Sequence, residues 1–213
     1  MLNVDEIFTS IQGESTDSGL PCIFIRLYGC PVGCVYCDQK QNMENMKRMS
    51  LREITTAVSK IRGIKYVCIT GGEPMMQFET MSLIFELQQK GYRVSIETSG
   101  CIPLEKLPYH RSFKYVMDIK CPSSGVSEKN VYENLIKLQF EDEVKFVIKD
   151  REDYNFMKKV LRKYPTQAKI LVSPMFDENN EPLIGKELVE WLIEDKLSDI
   201  RVSLQIHKFL SVK

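Results

Sequence analysis

Between residues 22 and 204, short runs rich in Val, Ile, Tyr and Phe alternate with stretches whose apolar residues recur every three or four positions. Strand-like runs fall at 22–28, 65–70, 92–97, 114–119, 143–148, 169–173 and 200–204. Several are almost continuously apolar, as strands buried on both faces are. Helices fit the intervals. Ser50-Leu51-Arg52-Glu53 reads as a capping box opening a helix over 51–62, with Ile54, Val58 and Ile61 on one face. Residues 77–90 place Phe78, Met81, Ile84, Phe85 and Leu87 on a stripe closed by Gly91, and further helices are expected over 127–138, 151–163 (begun by Asp150) and 185–195. Strand–helix–strand order imposes parallel pairing with right-handed crossovers, and repeated units of that kind curl into a barrel. The expectation is an α/β fold built on a full or partial parallel (β/α) barrel, with 4–11 as an extra strand. No Pro/Gly/Ser-rich linker, low-complexity tract or repeat interrupts residues 1–213, so one domain is expected.

Polar residues gather just after the strands. Cys30, Cys34 and Cys37 follow the first and Thr70-Gly71-Gly72-Glu73-Pro74 the second. Glu97-Thr98-Ser99-Gly100 follows the third, and Lys120-Cys121-Pro122-Ser123-Ser124-Gly125 the fourth. Later strands end in Lys149-Asp150, Ser173-Pro174-Met175 and Gln205-Ile206-His207-Lys208. In a parallel barrel all these ends meet on one face, where such folds keep their active sites.

Charge and composition exclude other classes. Lysines and arginines number 29 and acids 29, a balance that argues against a nucleic-acid-coating protein. No run approaches the ~20 apolar residues of a membrane helix. The N-terminal residues lack the basic start and apolar block of a signal peptide, so a cytoplasmic location is expected. Seven cysteines, an odd number in such a chain, do not suggest a disulfide framework. Cys22 and Cys68 lie in apolar runs and read as buried, inert thiols.

Cys30-x3-Cys34-x2-Cys37 carries the strongest chemical signal. Three thiolates this close can share one soft metal centre and leave a coordination position open. A zinc knuckle is the alternative, but it needs a fourth ligand at similar range, and only Cys68 lies nearby downstream. An iron–sulfur cluster with one open iron fits better, because an open iron can bind a cofactor and hand it an electron.

With Tyr36 just before the third cysteine, this motif resembles the signature of radical S-adenosylmethionine enzymes. The resemblance implies a 4Fe-4S cluster on Cys30, Cys34 and Cys37. Its open iron would be chelated by S-adenosylmethionine, whose reductive cleavage yields a 5′-deoxyadenosyl radical. Gly71-Gly72-Glu73-Pro74 resembles that family's glycine-rich element. Two glycines let the backbone approach a ligand, and Glu73 offers a carboxylate to the methionyl ammonium. Ser10-Ile11-Gln12-Gly13-Glu14, Phe24-Ile25-Arg26, Gly29-Cys30, Cys37-Asp38, Asp118-Ile119-Lys120 through Gly125, and Gln205-Ile206-His207-Lys208 are similar to the 7-carboxy-7-deazaguanine synthases. That resemblance implies a homodimeric partial barrel of the radical S-adenosylmethionine type. Its reaction would be ring contraction of 6-carboxy-5,6,7,8-tetrahydropterin to 7-carboxy-7-deazaguanine, releasing ammonia, in queuosine or 7-deazapurine biosynthesis. An external electron donor such as flavodoxin or ferredoxin would be required.

Arg26 interrupts an apolar strand. A buried guanidinium needs a planar anionic partner. A clamp for a carboxylated substrate is the preferred reading, and an internal ion pair the alternative. Gln12, an amide donor and acceptor at once, suits a pterin edge. By resemblance Cys30, Cys34, Cys37, Arg26 and Glu14 form the catalytic set. Ile11, Gln12, Gly13, Arg26, Thr70 and His207 would line the substrate. Tyr36, Cys37, Asp38, Gly72, Glu73, Lys120, Cys121, Pro122, Ser123, Ser173, Pro174 and Met175 would hold S-adenosylmethionine. His110 reads as structural. Met43, Met46 and Met49 recur every three residues and suggest the buried side of a helical turn covering the cluster. Family members typically carry Thr after the Cys-Asp pair, where its hydroxyl helps hold Mg2+, whereas this chain has Gln39. The Gln39 carbonyl could reach the ion, or its NH₂ could bond the substrate carboxylate instead; the second is favoured. A glycyl-radical enzyme activase, a paralogue acting on another pterin-like acid, and a non-enzymatic iron–sulfur carrier are the rival readings.

Overall fold

The computed structural model describes residues 1–37, 39, 43–104 and 110–213. Nine strands among them make one sheet: β1 (Leu2–Ile11), β2 (Pro21–Leu27), β3 (Lys47–Met49), β4 (Tyr66–Gly71), β5 (Arg93–Thr98), β6 (Phe113–Ile119), β7 (Glu143–Ile148), β8 (Lys169–Pro174) and β9 (Ile200–Val202). The spatial order is β3-β1-β2-β4-β5-β6-β7-β8-β9. From β2 through β4 to β9 every pairing is parallel, whereas β1 runs antiparallel to both β2 and β3. The expected partial (β/α) barrel is present, and the extra strand expected at 4–11 is β1.

The helices are α1 (Leu51–Lys60), α2 (Thr80–Gln89), α3 (Arg151–Lys163), α4 (Gly185–Glu194) and the single turn α5 (Ile206–Phe209). Ser50 and Glu53 form the reciprocal capping box at α1, and Asp150 accepts from the Glu152 and Asp153 amides to start α3. Helices cover the outer face of the sheet. Ile23, Ile25 and Leu27 of β2 are fully buried in one core with Ile54, Val58, Leu83 and Leu87. Burying each such side chain contributes about 1.5–3 kcal/mol. Because strand side chains alternate, the neighbours Cys22, Phe24 and Arg26 face the lumen. Residues 12–20 fold back over the N-terminal end of that lumen. There the Thr16 amide donates to the buried Glu143 carboxylate at 3.1 Å, and Lys114 pairs with Glu143 and with Asp17 at 2.9 Å. No helix among the described residues is long and apolar enough to cross a membrane.

Three expectations are corrected. Residues 127–138 are not an α-helix but the 3₁₀ turns Ser127–Lys129 and Tyr132–Lys137. Asn130 donates to the Lys120 carbonyl and accepts from its amide, and Asn134 bonds the backbone of Gly100, Ile102 and Leu104. Such side-chain bonds to backbone compete with helix formation. On the 77–90 stripe, α2 begins only at Thr80, and Phe78 and Phe85 are 97% and 62% exposed. Met43, Met46 and Met49 do not share a buried helical face. Met43–Asn45 is a 3₁₀ turn with no buried residue, and Met49 is drawn into β3 by pairing with Leu2.

Candidate active site

A cavity of about 270 Å³ opens where the parallel strands end. Cys30, Cys34, Tyr36 and Cys37 reach it from the loop after β2. Thr70 to Gly72 come from β4, Glu97 to Ser99 from β5, Asp118 and Lys120 from β6, Lys145 from β7 and Met175 from β8. Ile11 to Glu14 and the segment Gln205, His207 and Lys208 form the opposite wall.

Glycines dock the cysteine loop on the β4 turn. Gly29, at φ 98°, lets the chain leave β2 in a conformation costly for other residues. Its carbonyl accepts from the Glu73 amide at 2.8 Å, and the Leu27 carbonyl from the Gly72 amide at 3.1 Å. A Cβ on Gly72 would run into the Gly29 carbonyl and lie 2.9 Å from Cys30 Cβ. This close approach holds Gly72 against the cysteines. Cys30 and Cys37 are exposed and Cys34 is half-buried; burial raises the Cys34 thiol pKa, which Lys120 partly offsets.

Ionised groups line the lumen. Gln12 donates to Glu97 at 3.2 Å and accepts from the Glu14 amide at 3.1 Å, and the Thr70 hydroxyl donates to Glu97 at 2.8 Å. Lys145 pairs with Glu14 and, at 3.5 Å, with Asp118, which also holds Lys120 at 3.0 Å. Gln205 donates to the second Glu14 oxygen. Burial alone would raise the Glu14 pKa, but the Lys145 ammonium, with the donors Lys145 and Gln205, holds it down to about 2.

Residues 24–123 match the Radical SAM superfamily. The 7-carboxy-7-deazaguanine synthase of Koribacter versatilis is 38% identical over 98% of this chain and 96% of its own length. That of Methanospirillum hungatei is 38% identical over 99% of this chain and 86% of its own. This chain belongs to the 7-carboxy-7-deazaguanine synthase family. The fold agrees: the crystal structure of QueE from Escherichia coli superposes with a TM-score of 0.74 at 22% identity, covering 95% of this chain and 93% of that one. The S-adenosylmethionine-bound SuiB of Streptococcus suis gives 0.59 at 12% identity, over 82% of this chain and 48% of its own.

In this family member the residues expected at the substrate, Ile11, Gln12, Gly13, Arg26, Thr70 and His207, all line the cavity, as do Glu14 and Gln39. Asp38 lies outside the described residues. Arg26 makes the internal ion pair weighed as its alternative: its Nε meets Glu6 at 2.9 Å, its Nη1 the Gln39 oxygen, and its guanidinium stands over the Phe8 ring. The other Glu6 oxygen holds Lys213.

The residues expected at the cofactor divide. Tyr36, Cys37, Gly72, Lys120 and Met175 line the cavity. Glu73 does not line the cavity. It is fully buried and accepts from the Met75 amide, the Thr98 hydroxyl and both the amide and hydroxyl of Ser99, so it fixes the turn. Cys121 sits in the hydrophobic core, and Ser123 is bound through amide and hydroxyl to Asp153. Pro122 opens a 3₁₀ turn, and Ser173 and Pro174 are buried at the end of β8 and do not line the cavity.

The residues present fit a cluster with S-adenosylmethionine. Three cysteines on one loop face the cavity, and two buried polar atoms in its wall, Asp118 Oδ1 and Tyr36 OH, have no hydrogen-bond partner among the described residues. Buried polar groups are nearly always satisfied, so a bound polar molecule is the natural partner. Among the described residues no three His, Cys, Asp or Glu side chains converge on a single ion. The sequence places Glu97, Asp118 and Gln205 in motifs at this face without giving them a role, and it does not single out Lys145. Its available signal was parity: Asp118 and Lys120, two apart on and just past β6, and Glu143 and Lys145 on β7, repeat at the period that puts them on one face.

Proposed function

We propose that the cavity binds 6-carboxy-5,6,7,8-tetrahydropterin beside a 4Fe-4S cluster and S-adenosylmethionine, and that residues 1–213 act as one domain converting it to 7-carboxy-7-deazaguanine with loss of ammonia. The observation that carries this reading is the pairing, in one cavity, of the three-cysteine loop with a polar wall made by Gln12, Glu14, Arg26, Thr70 and Glu97. Cys30, Cys34 and Cys37 hold the cluster. Tyr36, Gly72, Lys120, Asp118 and Met175 hold S-adenosylmethionine. Together these groups, when bound, supply one-electron reduction and hydrogen abstraction.

The chain's own residues do the rest. Arg26 presents its guanidinium to the substrate carboxylate, a charge-assisted contact. Gln12, Glu14 and Glu97 accept from ring and exocyclic N–H groups. His207 packs against Gly13 and closes the ring site. An external flavodoxin or ferredoxin supplies the electron, and the working form is a homodimer in the cytoplasm. The test is anaerobic reconstitution and incubation with the pterin, S-adenosylmethionine and reductant, followed by mass analysis. 7-Carboxy-7-deazaguanine is expected; deoxyadenosine without it would overturn the assignment.

Magnesium fits this chain poorly. Mg2+ demands oxygen ligands in compact octahedral geometry. The Gln39 side-chain oxygen is instead taken by Arg26. Turnover after rigorous chelation should therefore change little on adding magnesium in the parent, and more in Gln39→Thr. Strong stimulation of the parent, unchanged in the variant, would overturn this.

Gly13 provides a second check. A Cβ there would land on the His207 imidazole ring. Gly13→Ala should displace that ring and raise KM for the pterin about tenfold, with S-adenosylmethionine affinity held, and His207→Ala should produce a similar change. An unchanged KM in both would remove His207 from the site.

A further inference from the structure

We propose that Lys145 is a positioning residue for the pterin site: clamped between Glu14 and Asp118, it fixes the Glu14 carboxylate as a permanent acceptor for the N–H edge of the ring. The inference rests on the pterin reading above and concerns a residue that the motifs did not single out.

Three separate elements build the clamp. Lys145 stands on β7, Asp118 on β6, and Glu14 on the 12–20 connection that folds back over the lumen. The Lys145 side chain is 12% exposed and that of Glu14 16%, so the pair is largely shielded from water. Glu14 is held from both sides, one oxygen by Lys145 and the other by the Gln205 amide. A carboxylate so held has its rotamer fixed and keeps its remaining lone pairs for the cavity. Every charged group facing the pair bears on its protonation. His207 approaches Glu14 from the C-terminal segment, Lys145 faces Asp118 from β6 and Glu97 from β5, and Lys120 adds a second cation beyond Asp118. Burial works against the charged form of Glu14, and Lys145, with help from Gln205 and His207, more than reverses it, so the carboxylate persists down to about 2.

The chemical reason to keep Glu14 ionised is directional. A neutral carboxylic acid would turn one acceptor into an O–H donor and repel a ring N–H. An ionised one accepts at both oxygens, and its donors Lys145 and Gln205 orient those oxygens. Removing Lys145 leaves a shielded carboxylate without its cation, which raises its pKa into the range where assays are run. The sign follows: in the parent pterin affinity should not depend on Glu14 protonation at any working pH, and without Lys145 affinity should fall as pH falls.

Two measurements on the cluster-loaded protein with S-adenosylmethionine test this. Infrared pH-difference spectra, with Glu14→Gln as the subtraction, report the protonated Glu14 carbonyl without any pterin. The parent should show no such band at about pH 4, and Lys145→Met should show it by about pH 5. Lys145→Arg, which keeps the charge, should resemble the parent. Anaerobic calorimetry with 6-carboxytetrahydropterin is the second. The ratio of variant to parent Kd, which cancels the ligand's own titration, should rise at least about tenfold between about pH 8 and pH 5 for Lys145→Met and stay flat for Lys145→Arg. A ratio that is elevated but constant with pH, or a Glu14 band in the parent at ordinary carboxylate pH, overturns the proposal. The second outcome decides even if Lys145→Met does not fold. Failure of the parent to bind the pterin at all would instead overturn the functional reading, leaving the infrared result to judge the clamp.

Discussion

Single replacement of Cys30, Cys34 or Cys37 by Ala is expected to abolish both the iron–sulfur absorbance and all turnover, whereas Cys22→Ala, Cys101→Ala and Cys121→Ala should keep their iron. Only the first three share the loop that Gly29 and Gly72 hold at the cavity mouth. Cys22 and Cys68 are buried on the lumen side of β2 and β4, where burial pushes the Cys22 thiol up to about 12 and the Cys68 thiol well above its ordinary value. Thiols so disfavoured as thiolates are poor iron ligands. Cys121 is enclosed by the core, and burial, with the Glu73 carboxylate 4.0 Å away, raises the Cys101 thiol. Iron content and electron paramagnetic resonance of the reduced protein check the point. Loss of iron from any of the second group would mean that the ligand set is wrong.

Arg26→Lys should weaken pterin binding by tenfold or more while S-adenosylmethionine binding stays near the parent value. Truncating one partner of a buried, hydrogen-bonded charge pair commonly costs about 2–5 kcal/mol. Lysine keeps the charge but not the fork that addresses Glu6 and a substrate carboxylate at once. The Glu6 pair gives this experiment a control. Glu6 is shared between Arg26 and Lys213, so Glu6→Gln should leave Arg26 charged and in place and reduce pterin affinity less than Arg26→Lys does. Equal loss for both ligands, or equal loss in Arg26→Lys and Glu6→Gln, would show that Arg26 serves the internal pair and not a substrate.

The parallel strands were legible because burial on both faces writes itself as continuous Val, Ile and Phe, and α1 and α3 because their caps, Ser50 with Glu53 and Asp150, are local chemistry. The 127–138 segment misled because Val131, Leu135 and Leu138 recur at helical spacing, while the decisive bonds run from Asn130 and Asn134 to backbone elsewhere in sequence. Cysteine spacing and the Gly71-Gly72 turn revealed where the site lies. The same motif logic assigned Glu73 to the cofactor, and only the fold shows its oxygens already taken by Thr98 and Ser99. Lys145 escaped for the opposite reason. In a half-buried strand a charged residue at every second position ordinarily faces water, and nothing local distinguishes a barrel lumen from solvent.

The segment from Gln205 to Lys213 touches Glu14, Gly13 and Glu6 across nearly the full length of the chain. During synthesis the cysteine loop, its glycine-rich turn and the β6 end are all available once residue 125 has emerged, but the cavity wall made by Gln205, His207 and Lys208 follows only after β9. The three cysteines therefore emerge well before the C-terminal part of the wall opposite them, and Met175, which lines the same cavity, comes between the two. A chain stopped after Leu204 would contain all nine strands of the described residues yet lack Gln205, His207 and Lys208 from the cavity wall. Order of translation thus brings out the cysteine loop first and the C-terminal wall that encloses the cavity later.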